Sequence, residues 1–165
     1  MIPYYELPLR QTLTDAGQPL QLDFIEQAKL LLEGFSGVKV EVPARLFSLR
    51  ALAERDLEGA VAMLRAVFPA MRAGRIEVVC LEEGRLEPFV QIRVRTPAKW
   101  SAPIAEELAG RAGSIEDLGA DAGYQILVAV APLEQLRAFD GWLSAKSDGT
   151  AIAEYRFKEY RPRAA

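Results

Sequence analysis

The pattern of apolar residues between positions 86 and 162 constrains the fold more than any other feature of the sequence. It predicts strands at residues 89–94, 113–118, 124–131 and 152–160, and helices at residues 104–111 and 133–146. Two helices on one face of a four-stranded antiparallel sheet satisfy this β-α-β-β-α-β order, because both crossovers can then be right-handed. The sequence therefore predicts an α+β fold with a ferredoxin-like domain in this half.

The core of this domain is expected to combine one face of the sheet with one stripe of each helix. The residues assigned to it are Val90, Ile92, Val94, Leu108, Ile126, Val128, Leu136, Phe139, Leu143 and Phe157.

The first half of the sequence predicts a smaller set of strands and helices. Strands are expected at residues 4–9 and 38–42, helices at 20–34 and 49–71, and a β-rich run at 76–81. The segment at residues 82–85 is short enough to be a hairpin turn or an interdomain joint, and we interpret it as the joint. With 165 residues, half of them apolar, the chain can form two small α/β-sandwich domains, at residues 1–85 and 86–165.

The composition excludes several classes of chemistry. The chain has no histidine, so it cannot form a Ser-His-Asp or Cys-His catalytic arrangement. Its single cysteine, Cys80, cannot make a zinc or iron–sulfur site alone, which leaves only oxygen ligands for magnesium or calcium. Neither standard glycine-rich phosphate motif occurs. We therefore predict no enzyme activity, no catalytic residue, no cofactor, no resident metal and no binding of GTP.

Charge and hydropathy indicate the location and the partners that the sequence favours. A net charge of −3 and a pI near 5.2 oppose a general nucleic-acid coat, because sequence-independent phosphate binding needs an excess of Lys and Arg. Any RNA contact must therefore be local. The sequence contains no apolar run long enough to span a bilayer and no signal-peptide pattern. It predicts a soluble, cytoplasmic protein without membrane contact.

Short motifs spaced through the second half carry a family resemblance. In chain order they are Leu86-Glu87-Pro88, Thr96-Pro97, Leu108, Arg111, Gly113, Ile115, Ala131-Pro132-Leu133, Phe139, Leu143, Gly149, Ala151, Phe157 and Tyr160. Their ordered succession resembles the C-terminal domain of elongation factor G, the ribosomal translocation GTPase, and of related GTPases. The resemblance implies a ferredoxin-like domain and a role in translation.

The first half more loosely resembles a degenerate, truncated fourth domain of the same factor. The matching positions are Ile25-Glu26-Gln27-Ala28, Leu32, Gly34-Phe35, the strand at 38–42 and a final helix at 60–71. The glycine-rich tip loops of that domain, which reach into the decoding region of the ribosome in the family, have no counterpart here. The chain thus resembles the tail of a translation factor without its GTPase domain.

The sequence departs from the family pattern near its end. Ser144-Ala145 stands where the family has Arg-Ser, and Thr150 replaces a basic residue. These are among the positions that face ribosomal RNA in the family, so the departures put RNA contact here in doubt.

The candidate contact residues are a C-terminal basic cluster and a tryptophan. The cluster is Lys146, Arg156, Lys158, Arg161 and Arg163, interleaved with Tyr155 and Tyr160. This pattern suits an RNA backbone contact with a ring stacked on a base, but charges on an edge strand also block unwanted strand pairing. Trp100 is expected to be exposed at a helix entrance, as an anchor for a partner, and Trp142 is expected in the core.

These observations predict a non-enzymatic, translation-factor-like protein that docks to the ribosome or to a ribosome-bound factor. The alternative is a protein-interaction or oligomerisation module that kept the fold and lost ribosome binding. The acidic pI and the lost basic positions favour this alternative, with which a homo-oligomer is compatible. An enzyme that uses carboxylates alone is a third class, which the missing bases and phosphate loops disfavour.

Overall fold

The computed structural model describes residues 3–15, 20–43 and 46–164, which form two compact units. The division falls between Val79 and Cys80, a few residues before the predicted one. Both units combine an antiparallel sheet with two α-helices. The predicted α+β class with two small sandwiches is confirmed.

The first unit is built around a central strand, β1. Its elements are β1 (Leu9–Asp15), α1 (Leu22–Leu32), β2 (Val38–Glu41), β3 (Phe47–Ala51), α2 (Glu54–Val67), β4 (Met71–Ala73) and β5 (Glu77–Val78). The strand order is β2-β3-β1-β4, and β5 pairs with the opposite end of β1 from β4. The buried residues of α1 and α2 cover one face of this sheet, where Leu9, Leu13, Phe47 and Leu49 are buried.

The predicted boundaries of one strand and one helix in the first unit are wrong. Residues 4–6 form a 3₁₀ turn, and β1 begins only at Leu9, after Pro8, which has no N–H to donate to a strand ladder. The helix predicted at residues 49–71 begins at Glu54, because the preceding residues belong to β3. The sequence of β3, Phe-Ser-Leu-Arg-Ala, does alternate apolar and polar residues, but the predicted helix included its last three residues.

The N-terminal end of α2 packs closely against the turn before β2, where Gly37 lies next to the side chain of Asp56. Gly37 has a φ of +83°, and a Cβ there would lie 2.8 Å from Oδ2 of Asp56. Burial raises the pKa of the Asp56 carboxyl above its ordinary value, and the charge of Arg55 opposes this shift. Glycine is therefore favoured at this position by its backbone conformation, and any other residue would also displace the Asp56 carboxylate.

Residues 82–85 form a hairpin turn within the second unit. The N–H of Leu86 donates to the carbonyl of Leu81 at 3.1 Å, and the reverse bond measures 2.9 Å. Three successive residues, Glu82, Glu83 and Gly84, have positive φ. Of the two alternatives for this segment, the structure shows the turn and not an extended joint.

The second unit has the predicted β-α-β-β-α-β order. Its elements are β6 (Leu86–Pro97), α3 (Ser101–Ala112), β7 (Glu116–Asp121), β8 (Tyr124–Pro132), α4 (Phe139–Ser147) and β9 (Ile152–Pro162). The antiparallel strand order is β7-β8-β6-β9, and the buried face of the sheet meets Ile104, Leu108, Phe139 and Leu143 of the helices. The predicted ferredoxin-like domain is confirmed.

The pairing of β8 with β6 decides which residues of β8 enter the core. Val94 of β6 is fully buried and lies opposite Leu127, and opposed residues in an antiparallel pair share a face. Ile126 and Val128, which were predicted for the core, therefore lie on the other face. Val128 is nevertheless buried, so its predicted burial is confirmed. The prediction is wrong for Ile126, which is half-buried, because β8 is apolar on both faces and its sequence does not distinguish them. Phe157 faces the core but is only half-buried.

The helix predicted at residues 133–146 is broken in two. Leu133–Leu136 forms a 3₁₀ turn, Ala138 takes a left-handed conformation with φ of 61°, and α4 begins at Phe139. The break allows the leucines at both ends of the turn and Phe139 to be buried together.

The assignment of the two faces of β8 predicts that substitutions at two neighbouring residues lower the free energy of unfolding by different amounts. Leu127 is 1% exposed, so Leu127→Ala should lower the free energy of unfolding by about 2–5 kcal/mol. Ile126→Ala should cost about 1 kcal/mol, because Ile126 is half-buried on the outer face. Urea denaturation of the two variants measures both values, and equal losses would contradict the assignment.

Candidate nucleic-acid interface

One face of the second sheet lies opposite the helices, and we call it the open face. The strand alternation places every second residue of β6 there, since the intervening residues face the core. Its members are Tyr124, Ile126, Val128 and Val130 of β8; Phe89, Gln91, Arg93 and Arg95 of β6; and Ile152, Glu154, Arg156, Glu159 and Arg161 of β9.

The centre of the open face combines guanidinium groups with an apolar strip. Arg93 lies between Val128 on one side and Glu154 on the other, and Arg156 lies opposite Gln91. A shallow pocket of about 140 Å³ is lined by Gln91, Arg93, Glu154, Tyr155 and Arg156. Within the described part of the chain, neither Arg93 nor Arg156 has a carboxylate at ion-pair distance. Their charges are therefore available to an anionic partner.

Two further arginines on the open face lie over aromatic rings. The guanidinium carbon of Arg95 is 4.0 Å from the ring centroid of Tyr124, and that of Arg161 is 4.5 Å from the ring of Phe89. Nε of Arg161 also donates to Glu159 at 2.7 Å. These contacts hold flat guanidinium groups against flat rings, an arrangement on which an unpaired base can stack.

The fold separates the predicted basic cluster onto two sides of the unit. Arg156 and Arg161 lie on the open face, and Lys158 lies at the bulge where β9 shifts its register against β6. Lys146 is exposed on α4, in the helical layer on the other side of the sheet. The expectation of one continuous cluster is therefore wrong, because its sequence neighbours belong to different layers.

The remaining two candidates also lie apart from the centre of the open face. Arg163 follows the end of β9, donates its backbone N–H to Arg85, and has Nε 3.8 Å from a carboxylate oxygen of Glu87. Trp100 ends a 3₁₀ turn before α3, where it is half-buried with Nζ of Lys99 5.2 Å from its ring centroid. It is at the helix entrance as predicted, but it is not fully exposed.

Sequence reasoning missed Arg93 and Arg95. Both are exposed, and they alternate along β6 with residues that are fully buried. Since the strand at residues 89–94 was predicted from the buried set, the same alternation identifies these arginines as its outer residues.

The helical side of the unit has a groove of a different character. It has a volume of about 550 Å³ and is lined by Pro103, Glu106, Glu107, Gly110, Arg111, Trp142 and Lys146. Trp142 is half-buried and stacks on Phe139 with 5.8 Å between centroids, so the expectation of a core tryptophan is only partly met. The mixed charges of this groove make it a weaker candidate for binding phosphate than the open face.

The described residues contain no group of carboxylates and cysteine that could hold a metal ion. None of the helices within the described ranges is both long and apolar enough to cross a bilayer.

The second unit is thus an antiparallel ferredoxin-like domain whose open face has arginines beside aromatic rings. Residues 84–165 match the family model described as elongation factor G C-terminus. The C-terminal half of the chain belongs to that family, as its motifs predicted. The match starts at residue 84, and the resemblance of the first half to the fourth domain stays a prediction.

The structure gives a physical role to two residues of the family motif. Arg111 donates to Glu107 at 3.0 Å and to the carbonyls of Gln135 and Arg137 at 3.2 and 2.8 Å. Gly113 ends α3 with a φ of 83°, a conformation that favours glycine. These residues maintain the fold by joining α3 to the turn before α4.

The Arg111 contacts predict an effect on stability. Arg111→Met keeps an apolar side chain of similar length but leaves two backbone carbonyls without their donor, which should cost about 1–3 kcal/mol. Arg111→Lys should restore only part of this loss, because an ammonium group lacks the planar fork of donors. Urea denaturation measures both changes. Lys146→Met, an exposed substitution in the same groove, is the control and should have little effect.

Proposed function

We propose that this protein is a non-enzymatic translation-factor-related module that docks to the ribosome, with its open face against ribosomal RNA. The observation that supports this most directly is the group Arg93, Arg95 and Arg156, which is exposed on the open face of a domain of the elongation factor G C-terminal family, with Arg95 over the ring of Tyr124. Guanidinium groups bind phosphate in a bidentate geometry. Binding at the ribosome would place the protein in the cytoplasm.

The positions at which the sequence departs from basic residues of the family lie away from the open face, which supports the open face as the RNA contact. Ser144, Ala145 and Thr150 are exposed at and beyond the C-terminal end of α4, in the helical layer. A contact made through that end would have lost charge relative to the family, whereas the arginines of β6 lie on the other side of the sheet. The net charge of −3 requires the binding surface to be confined to such a local group.

Salt dependence tests the docking proposal. The chain should co-sediment with ribosomes at low salt, and Arg93→Ala with Arg95→Ala should weaken binding and reduce the slope of log K against log salt by about 1.4–1.8 units. These values correspond to the loss of two phosphate contacts.

Lys146→Ala, which removes one exposed positive charge from the helical side, is the matched control for each of the two arginine substitutions made singly. Equal losses in this control and in the arginine variants would exclude the open face as the contact surface. The absence of co-sedimentation at any salt concentration would overturn ribosome docking itself.

The apolar strip of the open face supports a second candidate, a protein-interaction module. Ile126 and Val130 are half-buried on β8, on either side of the buried Val128, and Ile152 is 54% exposed on β9. Binding to another translation factor through this strip would bury apolar surface and persist at high salt. Ile152→Ser should then reduce binding more than the arginine substitutions do.

The proposal includes no binding of GTP by this chain, since the sequence contains neither standard phosphate-binding loop. Isothermal titration of the purified protein with GTP and magnesium should give only the heat of dilution. A saturable signal would require a nucleotide site of a different kind.

A further inference from the structure

We propose that two copies of this protein form a two-fold dimer by antiparallel pairing of their β9 strands. The paired sheets would then make one continuous eight-stranded sheet. This inference concerns the edge of the sheet, so it does not depend on ribosome docking.

Strand β9 is a long edge that has a partner on only one side. It contains 11 residues, Ile152–Pro162, and pairs with β6, while the described residues provide no strand along its other side. An edge strand of this length presents a row of backbone donors and acceptors to any strand of suitable register. The charges of β9 decide which register is favourable.

The bulge in β9 changes which residues face outward. Before it, Glu154 and Arg156 lie on the open face, opposite Arg93 and Gln91. After it, the register is shifted by one residue, so that Glu159 lies on the open face, opposite Phe89. Arg161, two residues further on, shares that face.

The residues of β9 that face the helices alternate with those of the open face, and the bulge shifts them by one position as well. Tyr155 lies opposite the buried Ile92, and its hydroxyl donates to Asp140 of α4 at 2.7 Å. Beyond the bulge, Tyr160 lies opposite Pro88 on the same face. The order of open-face charges along β9 is therefore Glu, Arg, bulge, Glu, Arg.

When a second copy of β9 runs antiparallel to the first, this order of charges places opposite charges against each other. With the two-fold axis at the bulge, Glu154 lies opposite Arg161 of the second copy, and Arg156 lies opposite Glu159 of the second copy. The same register pairs Tyr155 with Tyr160 of the second copy on the helical face. Each pair joins residues of one face, as antiparallel pairing requires, and each occurs twice by symmetry.

Neighbouring registers are unfavourable. A shift of one residue places Arg156 opposite Lys158 of the second copy and pairs residues of different faces. Shifts of two residues keep the faces but oppose like charges, either Arg156 with Arg161 of the second copy or Glu154 with Glu159 of the second copy. The charges that protect an edge against unspecific pairing therefore favour this register over the neighbouring ones, and among the registers with opposed charges it pairs the longest part of β9.

An ion pair that is already present along β9 would become part of the dimer interface. Glu159 and Arg161 of one copy already form an ion pair at 2.7 Å along β9. In the dimer, Glu159 would also face Arg156 of the second copy, and Arg161 would face Glu154 of the second copy. The result is a row of alternating charges across the dimer axis. Each carboxylate lies opposite a guanidinium group of the second copy and is followed along its own strand by another.

Charge reversal with mixing of variants tests the proposed register. Glu154→Arg alone and Arg161→Glu alone each convert two attractive pairs into repulsive ones, and each should raise the dimer dissociation constant about tenfold or more. Mixing the two variants should restore the dimer, because every Arg at 154 then faces a Glu at 161. Sedimentation velocity over a concentration series, with circular dichroism as the check of folding, measures these constants.

The controls distinguish this dimer from other assemblies. Lys146→Glu, on the helical side, should leave the dissociation constant unchanged. Glu116→Arg changes the opposite edge of the sheet, β7, and should also have no effect. Open-ended assemblies that Glu116→Arg abolishes would show head-to-tail pairing of β7 with β9 and would overturn the proposal. A wild-type protein that stays monomeric throughout the concentration series, or variants that mixing does not restore, would also overturn it.

Discussion

The alternation of side chains along β6 is the constraint on which the second unit depends. This strand pairs with β8 on one side and β9 on the other, so its register positions both neighbours. Val90, Ile92 and Val94 are fully buried against the helices, while Arg93 and Arg95 alternate with them on the open face. Because the side-chain period is two, a slip of one residue would bury the arginines and expose the core. The same pattern therefore stabilises the domain and keeps its positive charges outward.

The motif residues of the family and the candidate binding residues have different roles in this structure. Arg111 and Gly113 determine how α3 ends and how it joins the turn before α4. Ser144 and Ala145, at the end of α4 where the resemblance predicts RNA-facing positions, are exposed and uncharged. A domain can keep the fold of its family through the first kind of residue while its partner changes through the second kind.

The sequence predicted the elements of the second unit because most of them are buried on one side only. The clearest case is β6, where apolar and polar residues alternate regularly. The errors have different causes: β8 is apolar on both faces, whereas the last three residues of β3, which alternate, were included in the predicted helix that follows it. The break at Ala138 was also missed, since the apolar spacing continues across it and alanine gives no sign of a left-handed conformation.

The candidate site was predicted only in part, for a related reason. The sequence groups Lys146 with Arg156 because they are close along the chain, but a crossing from helix to strand separates them onto opposite sides of the sheet. The arginines of β6 are distant in sequence from Arg156 and become its neighbours only through strand pairing. Charge clusters in a sheet must therefore be sought at every second residue of adjacent strands, and not along one segment.

The bulge in β9 links the two interactions that we propose. It brings Glu159 onto the face that already contains Glu154 and Arg156, so Arg156 can pair with a carboxylate of a second copy or with a phosphate, but not fully with both. Arg93 and Arg95 lie one strand further from the edge and keep their charge in either state. Self-pairing would thus reduce the positive charge that Arg156 contributes to the open face and leave that of Arg93 and Arg95 unchanged. The two interactions are coupled through Arg156, and each should weaken the other modestly.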